Sequence, residues 1–278
     1  MKLSTSELLS YSTVRISCEY NDGAIGTGTG FIFNFLEDKE KNTVVPVVIT
    51  NKHVVKDAIR GKFVFTIATT NQEPSDTDHY VTEYEDFESL WIMHPNDDVD
   101  LCALSIVPLI LSARAQGINI FYWALSKDLL PDEKTYDSIN ALEEIVMIGY
   151  PNGLWDEVNN KPIFRKGITA SHPKFDYCGK KEMIIDAACF PGSSGSPVLI
   201  FNEGAWKVKG NDHIMGGTRL ILMGVLYAGP QYTADGEIVV IDVPTVQKSI
   251  FVPHNLLNLG YVIKAERILE LEELFKSA

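Results

Sequence analysis

Three segments of the chain carry side chains that together could perform nucleophilic catalysis on a carbonyl group. A hydroxyl nucleophile at neutral pH needs a base within hydrogen-bond distance, an acceptor that fixes the tautomer of that base, and N–H donors for the developing oxyanion. Histidine is the usual base, and His53 is the strongest candidate because it follows the buried β-branched run VVPVVIT at the rim of a predicted sheet. The other five histidines stand in polar or proline-adjacent segments that favour solvated or structurally satisfied rings: His79, His94, His172, His213 and His254.

The candidate acids lie in the segment DDVDLCAL, where three carboxylates precede an apolar strand. Asp100 touches the apolar run directly, so we expect it to be the residue buried against the base. Asp98 would share the same face of the strand, because side chains alternate with a period of two, and it is the second candidate. Spacing alone also allows all three carboxylates to lie in a solvated turn.

The candidate nucleophile lies in the segment ACFPGSSGSPVL, between two apolar runs that favour buried strands. Gly192 and Gly195 allow backbone angles that are strained for other residues, and they can direct consecutive N–H groups into one anion-binding concavity. Ser194 lies between them, where its own N–H and that of Gly192 could form an oxyanion hole. Alone, this pattern is weak, because glycines and serines also form ordinary surface turns.

Short strands separated by turns must position these residues. The first predicted group comprises residues 14–18, 27–33, 44–50, 62–68, 80–84 and 101–107, and the second 144–149, 163–171, 183–187, 198–201, 220–226 and 237–241. Two groups of about six strands, joined by helix-compatible and loop residues over 108–140, predict an all-β fold of two six-stranded antiparallel β-barrels.

A helix is predicted at the C-terminal end, where Ile268, Leu271 and Phe275 share one face. We expect it to pack against the second barrel. The predicted units are residues 1–120, which carry the histidine and the aspartate, residues 121–255, which carry the serine, and the C-terminal helix over 256–278.

Composition restricts the partners. The 278 residues carry a formal net charge of −13, which disfavours a nucleic-acid partner because its phosphate backbone would be repelled. No apolar run is long enough to cross a membrane, and the first residues lack the apolar core of a secretion signal, so we expect a cytoplasmic protein. The four cysteines show no CxxC pair, so we expect free thiols and no metal site.

The three segments together resemble the chymotrypsin-like serine peptidases, most closely the trypsin-like peptidase domain of the HtrA/Deg bacterial proteases. The likeness is carried by GTGTGFIF, TNKHVV, DLCAL, VMIGYPNG, RKGITAS and IIDAACFPGSSGSPVL. It implies catalytic roles for His53, Asp100 and Ser194, with the N–H groups of Gly192 and Ser194 as oxyanion donors. It also implies no cofactor, and the chain after residue 245 is too short for the PDZ domain of HtrA proteases.

Further positions bear on specificity through the same resemblance. MGVLYAG is similar to the strand that binds the substrate backbone, which implies substrate-binding roles for Leu226, Tyr227 and Ala228. Leu226 stands where glutamyl endopeptidases carry a histidine, and Ala188 stands at the base of the specificity pocket, where trypsin-like enzymes carry an acid. Cys189 either lines this pocket or is a small buried hydrophobe. We therefore expect small or medium apolar side chains at the cleavage site.

Two functions follow from these residues. The first is an intracellular serine endopeptidase that acts on a protein or peptide through an acyl-enzyme intermediate. The alternative is a catalytically silent module that keeps the fold and binds peptides or a partner protein by strand addition. An active cytoplasmic endopeptidase would be hazardous, so we also expect restraint, for example by a regulatory partner protein.

Overall fold

Two antiparallel sheets of eight strands each form most of the computed structural model, which describes residues 3–210, 212–232, 238–242 and 255–276. The first sheet contains β1 (Thr13–Tyr20), β2 (Ile25–Asp38), β3 (Thr43–Thr50), β4 (Ala58–Ala68), β5 (Pro74–Glu85), β6 (Ile92–Met93), β7 (Cys102–Ser105) and β8 (Ile120–Phe121). The second contains β9 (Glu144–Gly149), β10 (Ile163–Thr169), β11 (Glu182–Asp186), β12 (Pro197–Lys207), β13 (Ile214–Tyr232), β14 (Ile238–Asp242), β15 (Asn255–Leu256) and β16 (Leu259–Lys264).

The second sheet closes on itself as a ring of six strands. Its pairings run β12–β9–β10–β11–β16–β13, and β13 pairs again with β12. The first sheet follows the path β5–β4–β1–β2–β3–β7–β6, and no pairing among its described residues joins the two ends. The predicted all-β fold is confirmed as two antiparallel sheets with a C-terminal helix, although each sheet has more than six strands.

Three apolar clusters explain why several strands are apolar on both faces. One cluster fills the first sheet, a second fills the second sheet, and a third lies between them. In β2, Phe31, Phe33 and Phe35 belong to the cluster between the sheets, whereas Ile32 points into the first sheet. Because successive side chains of a strand alternate between faces, a strand that lies between two cores must be apolar throughout.

Five short α-helices and three 3-10 helices, Phe87–Leu90, Lys127–Leu129 and Pro151–Gly153, lie among the described residues. The α-helices are α1 (Thr5–Leu9), α2 (Lys52–Val55), α3 (Val107–Ala115), α4 (Glu133–Ser138) and α5 (Arg267–Phe275). Helices α3 and α4 lie in the segment for which the sequence predicted helix and loop. No helix among the described residues is long and apolar enough to cross a membrane.

The C-terminal helix α5 follows β16 of the second sheet but is anchored to the first. Ile268 and Leu271 are buried in the cluster between the sheets, as their shared face predicted. The ring of Phe275 meets Phe35 of β2 edge-on, with 5.1 Å between the ring centroids. The buried carboxylate of Glu272 accepts a hydrogen bond from the Leu36 N–H at 2.6 Å. The helix therefore joins the two sheets, and the expectation that it packs against the second barrel is corrected.

The predicted strands overlap observed ones, and four short or late strands were not predicted: β6, β8, β15 and β16. The strand predicted at 237–241 is observed at Ile238–Asp242, and Glu237 lies outside the described residues. His254 also lies outside them. The unit boundaries after residues 120 and 255 stay predictions, while β16 places residues of the third predicted unit in the second sheet.

Candidate active site

His53 lies in the one-turn helix α2, directly after the buried strand β3. The helix begins after Asn51, whose side-chain amide donates a hydrogen bond to the carbonyl of Asp100 at 2.8 Å. This bond ties the end of β3 to the segment that leads into β7. The structure thereby fixes the backbone of the histidine and that of the aspartate relative to each other.

Asp100 holds His53 through two hydrogen bonds. Its Oδ1 accepts from the His53 backbone N–H at 3.1 Å, and its Oδ2 lies 2.5 Å from the ring Nδ1. Side-chain exposure is 16% for His53 and 20% for Asp100, so the pair is shielded and still reachable from solvent. Asp98, the second candidate acid, is exposed in a turn where its N–H donates to Asn96. The structure brings Asp100 to the base and leaves Asp98 in solvent.

The pairing with Asp100 determines the tautomer of His53. An ionised carboxylate only accepts hydrogen bonds, so Nδ1 must carry the ring proton. The lone pair of Nε2 then faces the Ser194 hydroxyl, with 2.9 Å between Nε2 and Oγ. The imidazole is therefore oriented to accept a proton from this hydroxyl.

Ser194 is fully buried at the turn that precedes β12, between two glycines with φ of +84°. A Cβ on Gly195 would lie 1.9 Å from the Thr29 carbonyl oxygen, and one on Gly192 would lie 2.5 Å from the Tyr150 carbonyl oxygen. Only glycine fits at either position, for reasons of both backbone angle and space. The tight turn presents the serine hydroxyl to the imidazole.

The peptide bond before Gly192 is oriented by the loop that follows β9. Its carbonyl, that of Pro191, accepts a hydrogen bond from the Asn152 N–H at 2.5 Å. Because the C=O and N–H of one peptide unit point in opposite directions, the Gly192 N–H is directed away from this loop. It makes no hydrogen bond within the described part of the chain. The described residues therefore leave the donor capacity of this N–H unused, as an anion-binding role requires.

Thr29 of β2 is a site residue that the sequence analysis missed. Its hydroxyl donates to the Gly192 carbonyl at 2.9 Å and accepts from the Tyr150 N–H at 3.1 Å. Its own N–H donates to the Ser194 carbonyl at 2.9 Å. A hydroxyl side chain between two glycines, directly before the apolar run FIF, was the available signal, because a buried hydroxyl needs partners.

The predicted specificity residues lie beside the nucleophile turn. Ala188 is half-buried, whereas Cys189 is buried, with its thiol donating to the Ala187 carbonyl at 3.2 Å. Burial raises the pKa of the Cys189 thiol to about 12. Its sulfur lies against Gly260, where an added Cβ would be 2.7 Å from Sγ. In this structure Cys189 packs as a small buried hydrophobe.

The predicted substrate strand is part of β13. Leu226 and Ala228 are buried, and Leu226 belongs to the core of the second sheet. Tyr227 is half-buried, and its ring meets Tyr261 edge-on with 6.4 Å between centroids. Two backbone hydrogen bonds tie this strand to the nucleophile turn, from Gly195 N–H to Leu226 O at 2.9 Å and from Leu226 N–H to Ser196 O at 3.0 Å.

Comparison with known proteins gives one family match. Residues 28–210 match the family model described as the trypsin-like peptidase domain. This range contains the candidate histidine, aspartate and serine together with Thr29. No curated protein matches the chain significantly.

Several solved structures are similar to the chain. The HtrA-type protease AlgW with tripeptide has a TM-score of 0.46 and 14% identity, over 95% of this chain and 60% of that one. A catalytically inactive Tobacco Etch Virus protease complexed with substrate has a TM-score of 0.46 and 12% identity, over 96% and 83%. The MamO protease domain from Magnetospirillum magneticum has a TM-score of 0.44 and 12% identity, over 95% and 97%. The chain spans less than two thirds of the AlgW chain, and the family assignment depends on the family model alone.

Proposed function

Since the chain belongs to the trypsin-like peptidase domain family, we propose that it is a serine endopeptidase whose nucleophile is Ser194. The observation that supports this most strongly is the continuous hydrogen-bonded series from Asp100 through His53 to Ser194, at 2.5 and 2.9 Å. With Asp100 accepting the Nδ1 proton of His53, the lone pair of Nε2 faces the Ser194 hydroxyl, as proton transfer from that hydroxyl requires.

In the proposed reaction, the Ser194 hydroxyl attacks the scissile carbonyl while its proton passes to Nε2 of His53. The charged imidazolium is stabilised by the carboxylate of Asp100, and the N–H groups of Gly192 and Ser194 stabilise the oxyanion. The imidazolium then gives its proton to the leaving amine, and an acyl-enzyme remains. Water, deprotonated by His53, hydrolyses this ester and restores the hydroxyl.

The proposed substrate is a protein or peptide with a small or medium apolar side chain at the cleavage site. Ala188 supports this, because no acid stands at the position that resembles the base of a trypsin-like pocket. We also propose that the protein is cytoplasmic and that a regulatory partner protein restrains its activity. A peptide library would contradict the preference if basic or acidic residues dominated the cleavage sites.

A fluorophosphonate probe tests the nucleophile without knowledge of the substrate, because it reacts only with an activated serine. We expect wild-type protein to be labelled at Ser194 and the Ser194→Ala variant to lose labelling. Ser193→Ala is the matched control, because the buried Ser193 hydroxyl makes no hydrogen bond with the described residues. An unlabelled wild-type protein would favour the silent binding module, and full labelling of Ser194→Ala would refute the assignment.

A further inference from the structure

Strand β13 continues beyond the nucleophile turn, and both of its edges are paired there. Along one edge it pairs first with β16 and then with β15. Along the other edge it pairs with β12, as far as Pro197 opposite Val225, and later with β14, from Asp242 opposite Ala228. On this second edge, the pairing with β12 ends at Val225 and the pairing with β14 begins at Ala228.

The second edge of β13 is the one that runs beside Ser194. Leu226 exchanges hydrogen bonds on this edge with Gly195 and Ser196, the two residues that follow the nucleophile. An extended peptide that presents a carbonyl to a serine beside a strand edge is held by backbone hydrogen bonds to that edge. The residues that precede the scissile bond would therefore lie along β13 from Tyr227 onwards.

Strand β14 already occupies this path. Its residues pair with β13 in antiparallel register: Ala228 with Asp242, Gly229 with Ile241, Pro230 with Val240, Gln231 with Val239 and Tyr232 with Ile238. The direction of the backbone groups follows from one hydrogen bond on the opposite edge, in which Leu257 N–H donates to Pro230 O at 3.5 Å. Since successive residues of a strand face opposite edges, Gly229 and Gln231 direct their N–H and C=O groups towards β14.

We propose that β14 fills the substrate edge of this site, so that the enzyme recognises peptides with little paired backbone before the scissile bond. Substrate residues that lie further towards the N-terminus than the one next to that bond compete with β14 for this edge. Specificity then depends on the residue at the cleavage site and on the leaving-group side. This inference rests on the proposed peptidase function, since it concerns the substrate of the same site.

The register provides a matched pair of variants. Ile241 lies opposite Gly229, so its N–H faces β13, whereas the N–H of Val240 faces away. Proline lacks an N–H, so Ile241→Pro removes a hydrogen bond of the pairing while Val240→Pro removes none. Val81→Pro in the edge strand β5 controls for damage to an edge strand far from the site.

The experiment compares p-nitrophenyl esters of acetyl-Ala-Leu and acetyl-Ala-Ala-Ala-Leu, which differ only in length before the scissile bond. We expect the two kcat/KM values of the wild-type protein to agree within about three-fold, because the longer peptide finds the edge occupied. Ile241→Pro should raise the ratio of kcat/KM for the long ester to kcat/KM for the short ester by about ten-fold, because two backbone hydrogen bonds become available to the long ester. Val240→Pro and Val81→Pro should leave the ratio unchanged.

Two measurements distinguish a failure of the inference on β14 from a failure of the proposed peptidase function. Fluorophosphonate labelling must persist in every variant, and its absence in the wild-type protein would refute the proposed function itself. Amide hydrogen exchange should show that Ile241→Pro loses protection at residues 228–232 and keeps it at 220–225, where β12 still covers the edge. A wild-type protein that already prefers the long ester about ten-fold would overturn the inference, as would an Ile241→Pro variant with released β14 and an unchanged ratio.

Discussion

The two sheets contribute to the candidate site in different ways. The first sheet supplies functional side chains, since His53 follows β3 and Asp100 precedes β7, and the two are joined by side-chain hydrogen bonds. The second sheet supplies mainly a backbone conformation, since the turn around Ser194 is set by Gly192 and Gly195. His53 and Asp100 are thus positioned by side-chain hydrogen bonds, whereas Ser194 is positioned by main-chain geometry.

The sheets also differ in how they resist distortion. The second is a closed ring of six strands, so every strand that flanks the nucleophile turn is paired on both sides. In the first sheet, no pairing among the described residues joins the two ends. Its His53 and Asp100 are held by direct hydrogen bonds to each other and by the hydrogen bond from Asn51 to the Asp100 carbonyl. A rigid backbone therefore carries the nucleophile, while local side-chain contacts orient the base.

The largest expected effect concerns the first sheet, which contributes the side chains of His53 and Asp100. Asp100→Asn should slow fluorophosphonate labelling of Ser194 roughly 10⁴-fold, because an amide favours the wrong tautomer of His53. Stability should change little, since the amide is of the same size. Asp98→Asn is the control, because Asp98 is exposed in a turn, and equal losses in the two variants would contradict the geometry.

The next largest effect concerns the second sheet, which sets the backbone conformation of the nucleophile turn. In Gly192→Ala the new methyl group would lie 2.5 Å from the Tyr150 carbonyl oxygen at a φ of +84°, so the turn must move and the Gly192 N–H must turn with it. Loss of one oxyanion donor predicts labelling about 10²–10³-fold slower. Gly117→Ala, at a φ of +77° with no atom within 4 Å, measures the cost of the backbone angle alone. Equal rates in the two variants would refute a role for the turn geometry.

A smaller effect concerns the contact between the two sheets at Thr29. Thr29→Val removes the hydroxyl that bridges Gly192 and Tyr150, and it leaves a buried carbonyl and a buried N–H without partners. We expect a loss of about 1–3 kcal/mol in the free energy of unfolding for each unpaired group, and labelling slower by about 10–100-fold. Thr29→Ser keeps the hydroxyl and should restore both values. If the serine variant were as slow as the valine variant, the hydroxyl would not be the cause.

The smallest effect concerns a second histidine–carboxylate pair, which joins the first sheet to α5. His94 is buried, accepts from the Asn96 N–H at 3.1 Å through Nδ1, and places Nε2 3.3 Å from Glu270. Burial lowers its pKa, although Glu270 opposes this in part. Since the unfolded chain gains the proton first, the free energy of unfolding should fall as the pH drops below about 6.5.

The His94→Gln variant checks this prediction, because glutamine does not titrate. Urea unfolding at about pH 7.5 and about pH 5.5, on either side of the usual histidine pKa, should show a smaller loss of stability for the variant than for the wild-type protein. Labelling of Ser194 at the higher pH should be the same in both. An identical pH dependence of stability would show that His94 does not contribute.

The fold class and the three central residues could be predicted because their signals are local. The β-branched run before His53, the apolar strand after Asp100 and the two glycines around Ser194 each indicate an element end without knowledge of its neighbours. Their assembly into one site came from the resemblance, since spacing along the chain of 47 and 94 residues says nothing about distance in space.

The features that escaped prediction depend on which element lies against which. The spacing of apolar residues predicted an apolar face on α5, but it could not show that Phe275 on this face would contact β2 of the first sheet. Likewise, residues 237–241 were recognised as a strand, but strand propensity does not choose a partner, so the pairing with the edge beside Ser194 was not foreseen. Thr29 was missed because the two hydrogen-bond partners of its hydroxyl are more than 120 residues away.

The position of β16 and α5 has a consequence for the order of events during synthesis. The ring of the second sheet needs β16 between β11 and β13, and α5 then joins this sheet to the first. A chain that is still being translated can build the first sheet and the strands up to β13, but it cannot close the ring until residue 264 has left the ribosome. The nucleophile turn, which lies between β11 and β12, thus acquires the full support of the ring only after β16 has emerged and paired with β11 and β13.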